Sequence, residues 1–359
     1  MRIFVFGSSI ASCYWNGAAT YYRGIYKQLH ALGHHITFAE PDAYGRQQKL
    51  DDGIRDYVDV VVYRSDDLED LILKAAGADL VIKHSGVGQD DELLESEVLR
   101  CQSDRTRVAF WDVDAPATLS RVESDARDPF RTLIPQYDLI FTYGGGEAVI
   151  ENYLRLGARN CHPIYNGLDP DTHHPVPPDP DFRCDLLFVG NRLPDREKRV
   201  EEFFLRAAEL APDLSFILGG EGWSSKSIPP NVRWIGHVST GDHNRLNCSA
   251  RMVLNINRAS MADVGFSPPT RIFEAAGAGA CLITDAWNGI SEFFEPGEEI
   301  LIASSAEDVV AHLSSVSLQQ AGTIGQQMRQ RALRDHTYAQ RSAQVQAVLQ
   351  QDQLSEQVA

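Results

Sequence analysis

The sequence predicts an α/β protein made of two open domains, each built on a parallel sheet. Three observations carry this. The chain has 359 residues, and at roughly 150 residues per domain that is enough for two. Short apolar runs alternate with helical patterns along most of its length, as expected of repeated βαβ units. A single proline-rich stretch interrupts the alternation, which then restarts.

Taken in order, Arg2–Phe6 reads as a buried strand, followed by a loop of small residues from Gly7 to Thr20 and a helix from about Tyr21 to Leu32 that Gly33 stops. His35–Glu40 is the second strand. Further strands are expected at Val58–Tyr63, Leu80–His84, Arg107–Trp111 and Leu139–Tyr143, with helices at Leu68–Ala76, Glu92–Cys101 and Glu147–Leu156 between and after them. Several strands end in small or polar residues, which places those loops at the ligand edge of a parallel sheet. Residues 166–182 hold five of the prolines, cannot form helix or central strand, and read as a link. Beyond it, strands are expected at Leu186–Gly190, Leu214–Leu218, Val232–Gly236, Leu254–Arg258 and Cys281–Thr284. Helices are expected at Lys198–Ala211 and Ala306–Leu313, and a long polar helical region from Gln326 onward. The expected organisation is thus 1–165, a linker at 166–182, 183–325, and a helical region at 326–359.

Composition narrows the function. Hydrophobic residues at 43% and charged residues at 23% suit a soluble globular protein. A formal net charge of −17 argues against bulk nucleic acid or an anionic membrane as the main partner. Local basic clusters still suit a small anionic ligand. The six cysteines, Cys13, Cys101, Cys161, Cys184, Cys248 and Cys281, are scattered without a CxxC pair, so no structural zinc and a reduced, cytoplasmic setting are expected. Met1–Gly7 reads as a strand rather than a signal peptide, and no apolar run approaches the ~20 residues of a membrane helix.

Several clusters carry chemistry. Gly190-Asn191-Arg192 with Arg196, Lys198 and Arg199 follows a strand and opens a helix. Backbone N–H groups and guanidinium groups there suit a phosphate or diphosphate; with Asp195, Glu197, Glu201 and Glu202 interleaved, it also reads as a solvated charge run. Leu254-Asn255-Ile256-Asn257-Arg258, followed by Ser267-Pro268-Pro269-Thr270-Arg271-Ile272-Phe273-Glu274, reads as strand, loop and helix start. Arg271 and Glu274, three apart on one face, either pair with each other or divide between a phosphate and the vicinal hydroxyls of a ribose, two donors that one carboxylate accepts at once. Asp112-Val113-Asp114 after a strand reads as a metal-binding pair, as acceptor-orienting or catalytic groups, or as a turn cap. His84, at another strand end, is a candidate base or a structural histidine. Asn16-Gly17 either lets backbone approach a ligand or makes a turn. Tyr14, Trp15, Tyr21 and Tyr22 form an aromatic platform or part of the core. His173 and His174 are sequence neighbours that point apart, a poor arrangement for chelating one metal. There is no GxGxxG after the first strand, no GxSxG and no phosphate-loop lysine motif.

The segments Leu254–Arg258 and Pro269–Ala280, with Phe188-Val189-Gly190-Asn191 and a downstream Arg, and His336-Thr337-Tyr338 with Arg341, together resemble the carboxyl-terminal half of the CgeB-like (spore-maturation) glycosyltransferases, relatives of glycosyltransferase family 4. Trp111 and Asp112–Pro116 resemble an Asp-Pro segment of the amino-terminal half. The likeness covers about Asp185–Arg341 well and the first half thinly. It implies the GT-B fold, two Rossmann-like domains facing across a cleft, with the carboxyl-terminal helix packing back on the first domain. It implies a hexosyltransferase-type enzyme using a nucleotide-diphosphate sugar, with retention of configuration and with neither metal nor cofactor, acting on a small-molecule or glycan acceptor. Gly190, Asn191, Arg192, Arg196, Arg199, Asn255, Arg271 and Glu274 would hold the donor nucleotide, Glu274 matching the ribose-binding glutamate. Asn16, Gly17, Asp112, Ser267 and Thr270 would face the donor sugar or the acceptor, and His84 and Asp114 are the catalytic candidates. The sequence departs at Phe266, where family 4 enzymes usually carry a second Glu eight positions before the ribose Glu. A nucleotide-sugar epimerase of the same fold, or a non-catalytic nucleotide- or sugar-binding protein, are the alternative readings.

Overall fold

The computed structural model describes residues 1–14, 16–51, 53–86 and 89–358. The chain forms two compact units, one comprising Met1–Asn166 with Tyr338–Ala359, the other Gly167–Thr337.

The first unit holds β1 (Arg2–Phe6), α1 (Ala18–Ala31), β2 (His35–Pro41), β3 (Asp59–Tyr63), α2 (Leu68–Ala75), β4 (Leu80–His84), α3 (Asp91–Glu97), β5 (Arg107–Asp112), α4 (Ala115–Ser124), α5 (Pro129–Leu133), β6 (Leu139–Thr142), α6 (Gly146–Arg155) and β7 (His162–Pro163). All seven strands are parallel, in the order β3-β2-β1-β4-β5-β6-β7. β4, β5 and β6 are buried at every position, which is why they read as continuous apolar runs rather than alternating ones.

The second unit holds β8 (Cys184–Val189), α7 (Pro194–Val200), a π turn at Glu201–Leu205, α8 (Arg206–Leu210), β9 (Phe216–Gly219), β10 (Val232–Trp234), α9 (His243–Ser249), β11 (Ala250–Asn255), α10 (Ala259–Val264), α11 (Thr270–Ala278), β12 (Leu282–Asp285), α12 (Ile290–Phe293), β13 (Leu301–Ala303), α13 (Ala306–Ser315) and α14 (Leu318–Asp335). Its six parallel strands run β10-β9-β8-β11-β12-β13. Counted within each unit, both sheets begin 3-2-1-4-5-6, the Rossmann order.

The structure redraws several expected elements. The strand expected at Leu254–Arg258 is Ala250–Asn255, so Ile256, Asn257 and Arg258 belong to the loop beyond its carboxyl end. α4, α5, α9, α10, α12 and β13 were not expected. All but α4 span seven residues or fewer, and α10 (Ala-Ser-Met-Ala-Asp-Val) carries no apolar period. The proline-rich stretch lies against the second unit: the His174 and Asp179 N–H groups donate to Asn244 Oδ1 (3.2 Å) and Ser249 Oγ (2.7 Å). The polar helical region from Gln326 onward is two helices with different attachments. α14 belongs to the second unit; α15 (Tyr338–Val358) packs on α1 of the first. There Gly24 makes room for the Tyr338 ring, which a Cβ would approach to 2.2 Å, and Ser342 Oγ donates to the Ile25 carbonyl.

Candidate functional site

In a Rossmann sheet the crossover direction reverses between the first and fourth strands, opening a crevice beyond their carboxyl ends. In the second unit these strands are β8 and β11. β8 delivers Gly190, whose N–H donates to the Gly219 carbonyl (2.8 Å) and whose carbonyl accepts from Trp223 Nε1 (2.8 Å). A Cβ on Gly190 would lie 2.9 Å from Arg196 Nη2 and 3.0 Å from the Phe188 ring, so the glycine lets Arg196 lie across the strand end. Asn191 Oδ1 accepts from the Glu221 N–H, tying this loop to the one after β9.

Five arginines surround this strand end, and three are neutralised. Arg192 pairs with Glu197 (2.7 Å), Arg199 reaches Asp285 through Nε and Nη2 (3.1 and 2.6 Å), and Arg258 pairs with Asp195 (2.9 Å). Arg196 and Arg271 differ. Arg196 donates to the Asn191 carbonyl (2.5 Å), but its Nε is buried without a partner. The two guanidinium carbons sit 5.7 and 5.4 Å from the centroid of one ring, Phe188. Neither forms an ion pair with a carboxylate among the described residues. Burial first, and then repulsion from Arg271, pull Arg196 down to about 9. Burial likewise lowers Arg271, with Glu274 opposing. Two partly desolvated cations with no carboxylate in ion-pair contact are costly to fold. An anion with several oxygens supplies both the charge and the acceptors they lack.

The neighbouring strand and helix ends add complementary groups. Asn255 Nδ2 donates to Thr284 Oγ1 (3.0 Å), while its Oδ1 is buried without a partner. α11 starts at Thr270 after Pro269, which offers no side-chain cap, leaving the positive end of the helix for an acceptor. One turn on, Glu274 is buried. Burial alone would raise its pKa. His243, His173, Arg271 and a hydrogen bond from Thr270 outweigh that and hold it below the ordinary value, so it stays ionised. No ion pair joins it to Arg271 among the described residues; its nearest cationic candidate is His243, at 3.5 Å.

Ser267 is buried and donates to the Gly265 carbonyl (3.0 Å), shaping the turn before α11. Phe266 stands in the left-handed region (φ 47°), its N–H donating to Asn288 O (2.7 Å) and its ring lying over Gly289. A non-glycine residue there is strained backbone of the kind found near ligand sites.

In the first unit the candidates lie at the ends of β1, β4 and β5. Asp112 is fully buried and accepts from Ser85 Oγ (2.6 Å), Thr118 Oγ1 (3.0 Å), the Asp114 N–H (3.0 Å) and Tyr153 Oη (2.5 Å). Its acceptor capacity is taken up inside the fold, and burial still raises its pKa. His84 lies between the Tyr22 and Trp111 rings (centroids 4.5 and 5.3 Å), with Nε2 bonded to Tyr26 Oη. Burial and Lys83 push it well below the usual histidine range, so it is a neutral core residue. Asp114 is the half-buried N-cap residue of α4. Asn16 bonds Ser8 Oγ and the carbonyls of Ser9 and Ser12. Gly17 is exposed, with φ −64° and open space around it, so nothing there demands glycine. Tyr21 and Tyr22 are core; the Trp15 part of the expected aromatic platform lies outside the described residues.

Two arrangements escaped sequence reading. Glu40, fully buried in β2, accepts from Ser9 Oγ and the Ile10 and Ala11 N–H groups and so organises the loop after β1. His243 and His173 flank Glu274, their rings stacked at 5.7 Å. Only the fold brings them together, since 70 residues separate them.

The strand orders define the protein class as two Rossmann-like units, and comparison with known proteins agrees. Residues 196–347 match the family described as glycosyl transferase-like. Comparison with curated proteins finds no match. Among solved structures, the chain is similar to Anabaena HepE in complex with UDP and glucose (TM-score 0.73, 12% identity, 98% of this chain and 100% of that one). It is also similar to sucrose-phosphate synthase from Thermosynechococcus elongatus (0.68, 14%, 98% of each), and to an α-glucosyltransferase in complex with UDP and DNA (0.70, 12%, 96% and 98%). The fold is therefore the GT-B class of these enzymes. Among the described residues no helix is long and apolar enough to cross a membrane.

Proposed function

We propose that the chain is a glycosyltransferase whose second unit binds a nucleotide-diphosphate sugar, with UDP as the first nucleotide to test. The observation that carries this is the pair Arg196 and Arg271 on Phe188, two guanidinium groups without a carboxylate at the end of the first strand of a Rossmann sheet. The diphosphate bridges them. The first turn of α11 faces the same charge, and Glu274, kept ionised, accepts from the ribose hydroxyls. The family match over residues 196–347 and the UDP bound in similar structures support this reading.

As the glycosidic bond to the donor breaks, negative charge grows on the departing diphosphate. Arg196 and Arg271 are already desolvated and positioned for that charge, so they stabilise the transition state more than the ground state, in which the diphosphate carries less charge. Guanidinium groups do here what a divalent ion does elsewhere, hence the expectation of transfer without metal. Retention of configuration, hexose transfer and a cytoplasmic location rest on the sequence resemblance and on six free cysteines. The acceptor side is assigned to the first unit, with Asp114 as its candidate catalytic carboxylate; a net charge of −17 favours a small-molecule or glycan acceptor over DNA.

The test is a thermal-shift screen of UDP-, GDP-, TDP- and ADP-sugars, followed by mass spectrometry of products and NMR of the new anomeric centre. A UDP-sugar should raise the melting temperature and be consumed only with acceptor. A new sugar epimer from donor alone would instead mark an epimerase, and no shift with any nucleotide would refute the assignment.

A further inference from the structure

Beside the nucleotide pocket, the second unit assembles a second constellation. His173, from the proline-rich stretch, His243, the first residue of α9, and Glu274, on α11, each offer one ligand atom within 4.8 Å of the other two. His243 Nδ1 lies 3.5 Å from Glu274 Oε2. His173 Nε2 and His243 Nδ1 are both buried with no hydrogen-bond partner, and His173 as a residue is only 3% exposed. Buried ring nitrogens normally find a partner; two orphans converging on one carboxylate mark a place where something is bound. The second unit holds all three residues in place. His173 N–H donates to the Asp169 carbonyl (2.9 Å), the next residue is fastened to Asn244 on α9, and Gly277 of α11 gives His173 its space, a Cβ there meeting its carbonyl at 2.5 Å.

We infer that His173 Nε2, His243 Nδ1 and the Glu274 carboxylate form a binding site for a borderline transition-metal ion, Zn²⁺ above all, and that this ion excludes the donor's ribose by taking Glu274. Two neutral imidazoles and one carboxylate are the donor set of an open zinc site, with a fourth position left for water. A hard ion such as Mg²⁺, which demands oxygen ligands and octahedral geometry, does not fit two imidazoles. Burial, the first cause, keeps His173 neutral with its lone pair available. The charged groups facing the site are few: Arg271 opposes a cation at Glu274, while Asp169 favours one at His173 and His174 opposes it. Exclusion of the donor rests on the nucleotide reading above, whereas metal binding does not.

The test uses the full-length protein, stripped with chelator and titrated calorimetrically with ZnCl₂ and, as a spectroscopic probe, CoCl₂. Wild type should bind one equivalent, with the intense visible bands of four-coordinate cobalt. His173→Asn, His243→Asn and Glu274→Gln, each checked for native circular dichroism and melting, should weaken zinc more than the roughly 10–100-fold that loss of an outer partner costs. Wild-type affinity in all three folded variants, or no binding to wild type at micromolar concentration, overturns the site. A UDP titration then separates the two ideas. If each ligand weakens the other, both stand. If zinc binds and UDP does not, the metal site stands and the nucleotide reading falls. If both bind with no mutual effect, Glu274 is not shared and the proposed exclusion falls.

Discussion

Replacing Arg271 by Met removes a partly buried charge while keeping an unbranched side chain of similar reach. Two accounts of Arg271 predict opposite outcomes. If it were the structural partner of Glu274, breaking a buried pair would cost about 3–5 kcal/mol, or roughly 6–20 °C in melting temperature for a domain of this size. The structure argues otherwise. Arg271 forms no ion pair among the described residues and lies against the ring of Phe188, as does Arg196, a like charge. Its removal relieves desolvation and the repulsion from Arg196 but withdraws an attraction that helps keep Glu274 ionised, so R271M should melt within about 2 °C of wild type, a change of at most about 1 kcal/mol. Affinity should move the other way. One charge-assisted hydrogen bond to a diphosphate contributes about 1.5–3 kcal/mol, so UDP should bind about 10- to 150-fold more weakly. Calorimetry and thermal melting on one preparation read both numbers. A large loss of stability with UDP affinity unchanged refutes the reasoning.

Three further outcomes follow from named contacts. Glu274→Gln should weaken UDP by about 10- to 150-fold, since the hydrogen bonds it loses are to a charged acceptor; 2′,3′-dideoxyuridine diphosphate, which lacks those hydroxyls, should bind wild type and variant alike in the same titration. UDP affinity should also depend on alkaline pH. Burial and Arg271 pull Arg196 down to about 9, and a bound diphosphate, which favours the charged form, raises that value. Above about pH 9 binding therefore takes up a proton, and affinity falls by up to about tenfold per pH unit; titrations from pH 7 to 10.5 should show this in wild type and a shallower profile in Arg196→Met, where the uracil imide of the ligand still titrates. Asp112→Ala strands the hydroxyls of Ser85, Thr118 and Tyr153 and the Asp114 N–H, and should cost about 3 kcal/mol or more in urea unfolding. Full stability with lost turnover would instead make Asp112 a reacting group.

The fold was legible because its strands are buried on both faces. β4 and β5 carry five and six buried residues in a row, and such runs stand out against amphipathic helices without any knowledge of partners. The short helices did not. α10 has six residues and a boundary set by Arg258, which pairs with Asp195 far back in the chain. The basic cluster was legible as a cluster but not as individuals: only the fold shows that Arg192, Arg199 and Arg258 are neutralised while Arg196 and Arg271 share a phenyl ring. His84 shows the converse. At a strand end its residue type suggests a base, and the Tyr22, Tyr26 and Trp111 side chains that enclose it come from two other elements. His173 read as part of a linker because its partners, His243 and Glu274, lie 70 and about 100 residues away.

The central claim is that a nucleoside diphosphate completes the charge between Arg196 and Arg271. Its most direct measurement is calorimetric titration of UDP, GDP, TDP and ADP into wild type and into the Arg196→Met/Arg271→Met double variant. One diphosphate, UDP foremost, should bind at a single site on wild type and lose its heat in a double variant that remains folded. Binding of equal strength to both proteins, or no heat from any of the four with wild type, would contradict it.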